Sequence, residues 1–285
     1  MYEHISMVEI TDVTRMIRDE SRGKRWSLKE GDGPVIATAI HDGHTVREDV
    51  LQHMEICDAD RLREEDPFTG IWAGAFPTQL IVHNSRFEVD VNRPRDIAIY
   101  KTPTQSWGLK VWKDQLPEEL IAQTELYYDA FYLELTELIE RKLEQHPYVF
   151  VFDIHSYCHQ RQGPEMPFDP PEKNPEIDLV NETTNFDYNR FGNLWNRLHR
   201  EIGRFDYFGR SLDVQANVRF QLAYLSTWLH KHFPNRVCAI QFEVKKFFMN
   251  EWTGQPYPEV IDKIKELFTT LIPAVEEELS IIPKD

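Results

Sequence analysis

The segment Tyr148-Val149-Phe150-Val151-Phe152-Asp153-Ile154-His155-Ser156-Tyr157 constrains the fold of this chain more than any other. An apolar, β-branched and aromatic run with no charge until its end reads as a buried strand. Such a strand closes on Asp-x-His only if the carboxylate and the imidazole find partners, because unpaired polar groups are costly to bury. Asp153 and His155 are two residues apart and therefore share a face of the strand. In open α/β sheets ligands bind beyond the carboxyl ends of the strands. The segment is thus either a satisfied Asp–His pair closing a strand or one wall of a site.

The rest of the chain alternates strands with long helices. Residues 34–40 read as a second buried strand, followed by a helix over 46–57. Residues 79–83 and 86–91 read as short strands, a hairpin around Asn84-Ser85. A long helix is expected over 117–145, with Pro117 at its start and glutamates in its first turns. Helices are expected over 188–202, 220–233 and 257–278, and an apolar strand over 236–244. This alternation predicts an α/β fold with parallel strands, organised as a single domain over 1–285. The proline-rich stretch 164–175 is long for a compact domain and reads as a lid or pocket rim.

Composition narrows the function classes. A formal charge of −16 and a pI near 5.1 leave no basic field for nucleic acid or an anionic membrane. Any positive charge in a pocket must therefore be local. Three cysteines without a C-x-x-C spacing suit a reducing compartment better than a disulfide scaffold. The first twenty residues carry charges throughout and lack the apolar core of a signal peptide. No apolar run has the length of a membrane span. A soluble cytoplasmic protein acting on a small molecule is the expectation.

Chemically capable residues gather at predicted strand ends. His41-Asp42-Gly43-His44 follows the first apolar strand, and two histidines three apart in a glycine-containing turn can converge with His155 on one cation. Asp153 can take the other ring N–H of a ligating histidine, the usual partner that fixes its tautomer. Glu64-Glu65-Asp66 before Pro67 is either a solvated loop or the source of a carboxylate ligand. Arg86, Glu88, Asp90 and Asn92 alternate with apolar residues and are expected on one face of a strand. Arg93 follows in a turn, where a guanidinium can grip a carboxylate. Glu243 is a single carboxylate in the apolar strand 236–244. It is either a buried general base with a raised pKa or an ion-pair partner of Lys245.

Taken in chain order, these segments resemble the N-formylglutamate amidohydrolase family, and behind it the zinc carboxypeptidases. Asp90-Val91-Asn92-Arg93, Asp153-Ile154-His155-Ser156-Tyr157 and Phe242-Glu243 are similar to three successive carboxypeptidase segments. Ser85-Arg86-Phe87-Glu88-Val89-Asp90-Val91-Asn92-Arg93 is similar to the Ser-Arg-x-x-x-Asp-x-Asn-Arg signature of the formylglutamate enzymes. The resemblance covers roughly residues 33–275. It implies a three-layer sandwich with a mixed, largely parallel central sheet flanked by helices. It also implies one zinc ion, held by His41 and His155, with Glu243 as general base and proton shuttle. Arg93 would hold a substrate carboxylate with Asn92 beside it, and Asp90 would orient His41.

Two departures leave choices open. Where the carboxypeptidase pattern has glutamate this chain has His44, so the third metal ligand is His44, Glu65 or Asp66, with Asp66 preferred to Glu65. The Gly-Gly pair of the formylglutamate enzymes is replaced near Gln221-Leu222-Ala223, so one pocket wall differs. The expected reaction is zinc-dependent hydrolysis of an N-acyl amino acid such as N-formylglutamate, with Arg86 stabilising the oxyanion. The rival readings are a carboxypeptidase-like peptidase acting on peptide C-termini and a metal-free, non-catalytic member of the fold.

Overall fold

The structure is a computed structural model describing residues 25–181 and 185–283. The reading of the first twenty residues lies outside these. Seven strands form one sheet in the order β1-β3-β2-β4-β7-β5-β6. They are β1 (Trp26–Lys29), β2 (Val35–Ala39), β3 (Thr78–Val82), β4 (Val149–Tyr157), β5 (Ile177–Val180), β6 (Val214–Ala216) and β7 (Val237–Lys245). β3, β2, β4 and β7 are mutually parallel, while β1 runs antiparallel to β3 and β5 antiparallel to β7. The sheet is therefore mixed with a parallel centre, as expected. Every residue of β2 and β4 is buried, which is why both read as uninterrupted apolar runs.

Helices cover both faces. Phe150, Phe152, Ile154, Ile240 and Phe242 point into one core with α3 (Thr69–Ala73), α5 (Tyr188–Arg204) and α7 (Pro258–Ile281). The Phe152 ring lies within 5 Å, centroid to centroid, of those of Phe76, Phe150 and Phe242. Val149, Val151, Val237 and Ala239 point the other way, into a core closed by α4 (Glu118–Gln145) and α6 (Tyr224–His232). The period-two alternation of β4 thus feeds both cores until Asp153 and His155 replace valine on the α4/α6 face.

Two expectations fail for local reasons. The helix over 46–57 is only α1 (Glu48–Leu51), followed by a separate α2 (Asp58–Glu64). Between them the backbone pairs elsewhere: the Glu55 N–H donates to Val111 O at 2.8 Å, and Lys113 N–H to His53 O at 3.0 Å. Residues 86–91 are turns, not a strand, and there is no hairpin. Glu88 N–H donates to Ser85 O (3.0 Å), and Asn92 N–H to the Asp90 carboxylate (2.9 Å). Ser, Asn and Asp offer such local bonds in place of a ladder. The polar residues consequently do not share a face. Arg86 and Asp90 pair at i,i+4, whereas Glu88 turns away to Arg25, Arg47 and Asn84.

Where β5 has not yet begun to pair with β7, a side chain completes the bonding. The Ala239 N–H donates to His230 Nε2 at 2.9 Å, tying α6 to β7. Burial pushes the His230 imidazole down to about 4. The unfolded chain therefore takes up a proton that the native state refuses, and stability falls as pH drops from about 6.5 towards 4. At pH 5 the effect is about 2 kcal/mol. His230→Gln, which keeps an acceptor but does not titrate, should shrink the loss of stability between pH 7 and pH 5 by about that much in urea melts. An unchanged loss would show that the folded imidazole titrates normally.

Candidate active site at the carboxyl ends of the parallel strands

From β2 the chain crosses to β3 on one side, and it later returns to β4 on the other. A crevice opens at such a reversal of strand order. His41 follows β2, His155 lies near the end of β4, and Asp66 lies in the loop between α2 and α3. Gly43 lets the turn after His41 close against the end of β3, since a Cβ there would fall 2.2 Å from the His83 carbonyl carbon.

His41, Asp66 and His155 are all buried, and their donor atoms lie within 4.8 Å of one another. Asp66 Oδ2 is 3.0 Å from His155 Nδ1 and 3.4 Å from His41 Nδ1. His41 Nδ1 has no hydrogen-bond partner. The other ring nitrogen of each histidine faces a further carboxylate. His41 Nε2 is 2.7 Å from Asp90, and His155 Nε2 is 3.1 Å from Asp153 but poorly aligned for a hydrogen bond. Asp153 is itself held by the Thr38 hydroxyl at 2.7 Å, across the β2–β4 register. Both histidines thus present Nδ1 to Asp66 and turn Nε2 to a carboxylate, an arrangement that suits metal-ligating imidazoles.

Charge in the cluster is unbalanced. Burial resists ionisation of Asp66, but the hydrogen bond to His155 and the nearby charge of the two imidazoles outweigh it and hold the carboxyl well below its usual range. Burial likewise resists charging of His155, yet Asp153, Asp66 and Glu243 together push its imidazole well above the ordinary value. Burial, partly offset by His155, pushes the Glu243 carboxyl up to about 8. Four buried carboxylates around two imidazoles favour additional positive charge. Two imidazole nitrogens and one carboxylate form a donor set that fits a zinc-like divalent cation with a position to spare.

Glu243 stands directly opposite His155 in the β4–β7 register. Gln241 donates to Glu243 Oε1 at 2.8 Å, while Oε2 is buried without a partner. Gln241 in turn accepts from the Asn92 side-chain amide at 3.2 Å, and Asn92 Oδ1 accepts the Leu225 N–H at 2.9 Å. Arg86 is bonded to Asp90 at 2.8 Å and to the Tyr100 hydroxyl at 3.2 Å, and it lies over the Trp107 ring. Arg93 is more exposed. Its guanidinium reaches Asp90 at 3.4 Å and the Gln105 carbonyl at 3.0 Å. These groups line one cleft of about 530 Å³.

Two expected candidates lie elsewhere. The ring nitrogens of His44 face Glu65 and Asp58, and the side chain is about one-third exposed. Glu65 is buried between His44 and the Ser85 hydroxyl. Neither lines the cleft, and neither does any residue of the 164–175 stretch. Lys245 bonds the Asn174 carbonyl instead of Glu243. Sequence reasoning missed Gln241, although a lone amide two residues before Glu243 must share its face. It also missed Lys246, whose buried ammonium bonds the carbonyls of Arg63 and Glu65 and so braces the loop that carries Asp66.

Two solved structures share this architecture. The N-formylglutamate amidohydrolase from Ralstonia eutropha superposes with a TM-score of 0.73 at 17% identity, covering 90% of this chain and 98% of that one. A gene product of Agrobacterium tumefaciens gives 0.63 at 18% identity, with the same coverage of each chain. A metallo-carboxypeptidase from Burkholderia cenocepacia gives 0.39 at 10% identity over 95% of this chain and 69% of that one. Comparison with curated protein sequences finds no match. The model of one family, described as N-formylglutamate amidohydrolase, matches residues 33–249, the span that carries β2 through β7 and every residue of the His41–Asp66–His155 cluster. The chain belongs to the N-formylglutamate amidohydrolase family.

Proposed function

We propose that this protein is a zinc-dependent hydrolase that cleaves the amide bond of a small N-acyl amino acid, N-formylglutamate being the first candidate. The observation that carries this reading is the buried His41–Asp66–His155 trio, with the unpartnered Oε2 of Glu243 beside it in the same cleft. A divalent cation held by that trio supplies Lewis acidity, lowering the pKa of water towards neutrality and polarising the acyl oxygen.

The chain's own residues do the remainder. Glu243 receives the proton of the attacking water on Oε2 and delivers it to the leaving nitrogen. Gln241 occupies Oε1, so a single oxygen is left to shuttle. Burial makes the carboxyl basic enough to keep a proton near neutral pH, and a cation alongside lowers that basicity from its starting point of about 8. Arg93 holds the substrate's α-carboxylate, and the Asn92 amide contributes the N–H that Gln241 does not use. Arg86, fixed by Asp90 and Tyr100, stabilises negative charge developing on the acyl oxygen. Asp90 holds the His41 imidazole with Nδ1 inward, and the Asp153 carboxylate faces Nε2 of His155.

The apolar mouth of the cleft supports a second reading. Trp107 is 43% exposed and Leu222 is 81% exposed, so a larger group such as a peptide ending in a free carboxylate also has a surface to lie on. Assays on N-formyl-L-glutamate and on short peptides separate the two readings.

Zinc binding measured by chelator competition should be lost in His155→Ala and in Asp66→Ala. It should weaken about 10- to 100-fold in Asp153→Asn and stay unchanged in His44→Ala. Loss of zinc in His44→Ala with retention in Asp66→Ala would reverse the ligand assignment. In amine-release assays of the zinc-loaded protein, Glu243→Gln should keep its metal yet lose about 10²- to 10⁴-fold in kcat. Arg93→Gln should act chiefly on KM. Near-normal turnover by Glu243→Gln would remove it from proton transfer.

A further inference from the structure

Five cationic side chains line the cleft, and four of them are committed to the protein. Arg86 and Arg93 bond Asp90, Arg161 bonds both oxygens of Glu64 at 2.7 and 2.8 Å, and Lys246 bonds two carbonyls. Arg219 differs. Among the described residues its guanidinium has no hydrogen bond and no ion pair. In a chain with a formal charge of −16, an arginine has abundant carboxylates to choose from. This one faces the cleft instead.

The loop that presents Arg219 is firmly built. The buried carboxylate of Asp178 accepts the backbone N–H groups of Val218, Arg219 and Phe220 at 3.0, 2.7 and 3.1 Å. Asn217 adopts a left-handed φ of 55° and exchanges hydrogen bonds with Asn181: its side-chain Oδ1 accepts the Asn181 backbone N–H and its side-chain amide donates to Asn181 Oδ1. Asp178 stands opposite Glu243 in the β5–β7 register. The loop is therefore hung from the strand next to the one that carries Glu243, about 5 Å away across the sheet.

We propose that Arg219 is a specificity-determining residue that binds a second carboxylate of the substrate, carried either by the amino-acid side chain or by the acyl group. This rests on the reading of Arg93 as the partner of the α-carboxylate. Two guanidinium groups on separate loops fix both ends of a dianion, each as a forked donor. Phe220, the next residue in the same cleft, offers its ring to the methylenes between the two acids. A site built to bond a charged group discriminates against the neutral isostere. Because Arg219 is exposed, the discrimination is smaller than at a buried site, about 10- to 100-fold.

Three ligands test this by calorimetry on zinc-loaded Glu243→Gln protein, a background in which the compounds persist: N-formyl-L-glutamine with one carboxylate, N-formyl-L-glutamate with a second on the side chain, and N-succinyl-L-glutamine with a second on the acyl group. At least one diacid should bind ten-fold or more tightly than N-formyl-L-glutamine, and which one names the side of the amide that Arg219 reads. Adding Arg219→Gln should erase that gap while leaving the affinity for N-formyl-L-glutamine within about two-fold, and Arg219→Lys should restore part of it. Equal affinity for all three ligands, a gap that survives Arg219→Gln, or an equal weakening of all three would overturn the proposal. The parent enzyme is assayed on the same compounds. If it hydrolyses none of them the proposed reaction fails, while the binding gap still decides the role of Arg219.

Discussion

Asp66, Asp90, Asp153 and Glu243 are each no more than 5% exposed and crowd around His41 and His155. Burying ionised carboxylates without compensation is prohibitive, so each must be paired, hydrogen-bonded or protonated. Arg86 and Arg93 offset Asp90, Thr38 holds Asp153, and Glu243 responds by raising its proton affinity. The two imidazoles remain, each squeezed between carboxylates. Much of the surrounding architecture serves this cluster: the turns over residues 85–93 bring Arg86, Asp90 and Asn92 to it, and Lys246 braces the Asp66 loop.

The cluster sits where the sheet can support it. β4 and β7 are buried along nearly their whole length, so the backbone beneath His155 and Glu243 is held by two cores at once. This rigidity positions side chains more precisely than a loop would. The cleft-lining groups proposed to meet substrate, Arg93 and Arg219, lie outside helices and strands, where variation leaves the centre undisturbed. In the Gln221-Leu222-Ala223 stretch, where the resemblance leads one to expect glycines, Leu222 projects into solvent at the mouth of the cleft while Ala223 is buried.

The centre was legible in the sequence because it interrupts strong patterns. Asp153 and His155 break an apolar strand, Glu243 breaks another, and His41 closes a third. Period-two geometry puts Asp153 and His155 on one face of β4, and the β4–β7 register, which only the structure supplies, sets His155 beside Glu243. The choice among His44, Glu65 and Asp66 was not legible. Glu65 is an extended residue at the end of α2, and it directs its own side chain to His44 while the next residue turns into the cleft. Adjacent acids with opposite destinations look alike in one dimension. The alternation over residues 86–91 misled for a related reason: the side chains of Ser85 and Asp90 accept the backbone N–H groups of Phe87 and Asn92, and these bonds prevail over strand pairing. The strands β1, β5 and β6 are three or four residues long, too short to leave a periodic signal.

The central claim is that the buried trio holds the cation, and an anomalous-scattering map from crystals of the zinc-loaded protein tests it most directly. The account predicts one strong peak in the cleft, about 2.0–2.2 Å from Nδ1 of His41, Nδ1 of His155 and a carboxylate oxygen of Asp66, with a remaining coordination position open towards Glu243. A peak between His44, Glu65 and Asp58, or a well-ordered trio with no zinc under saturating metal, would contradict it.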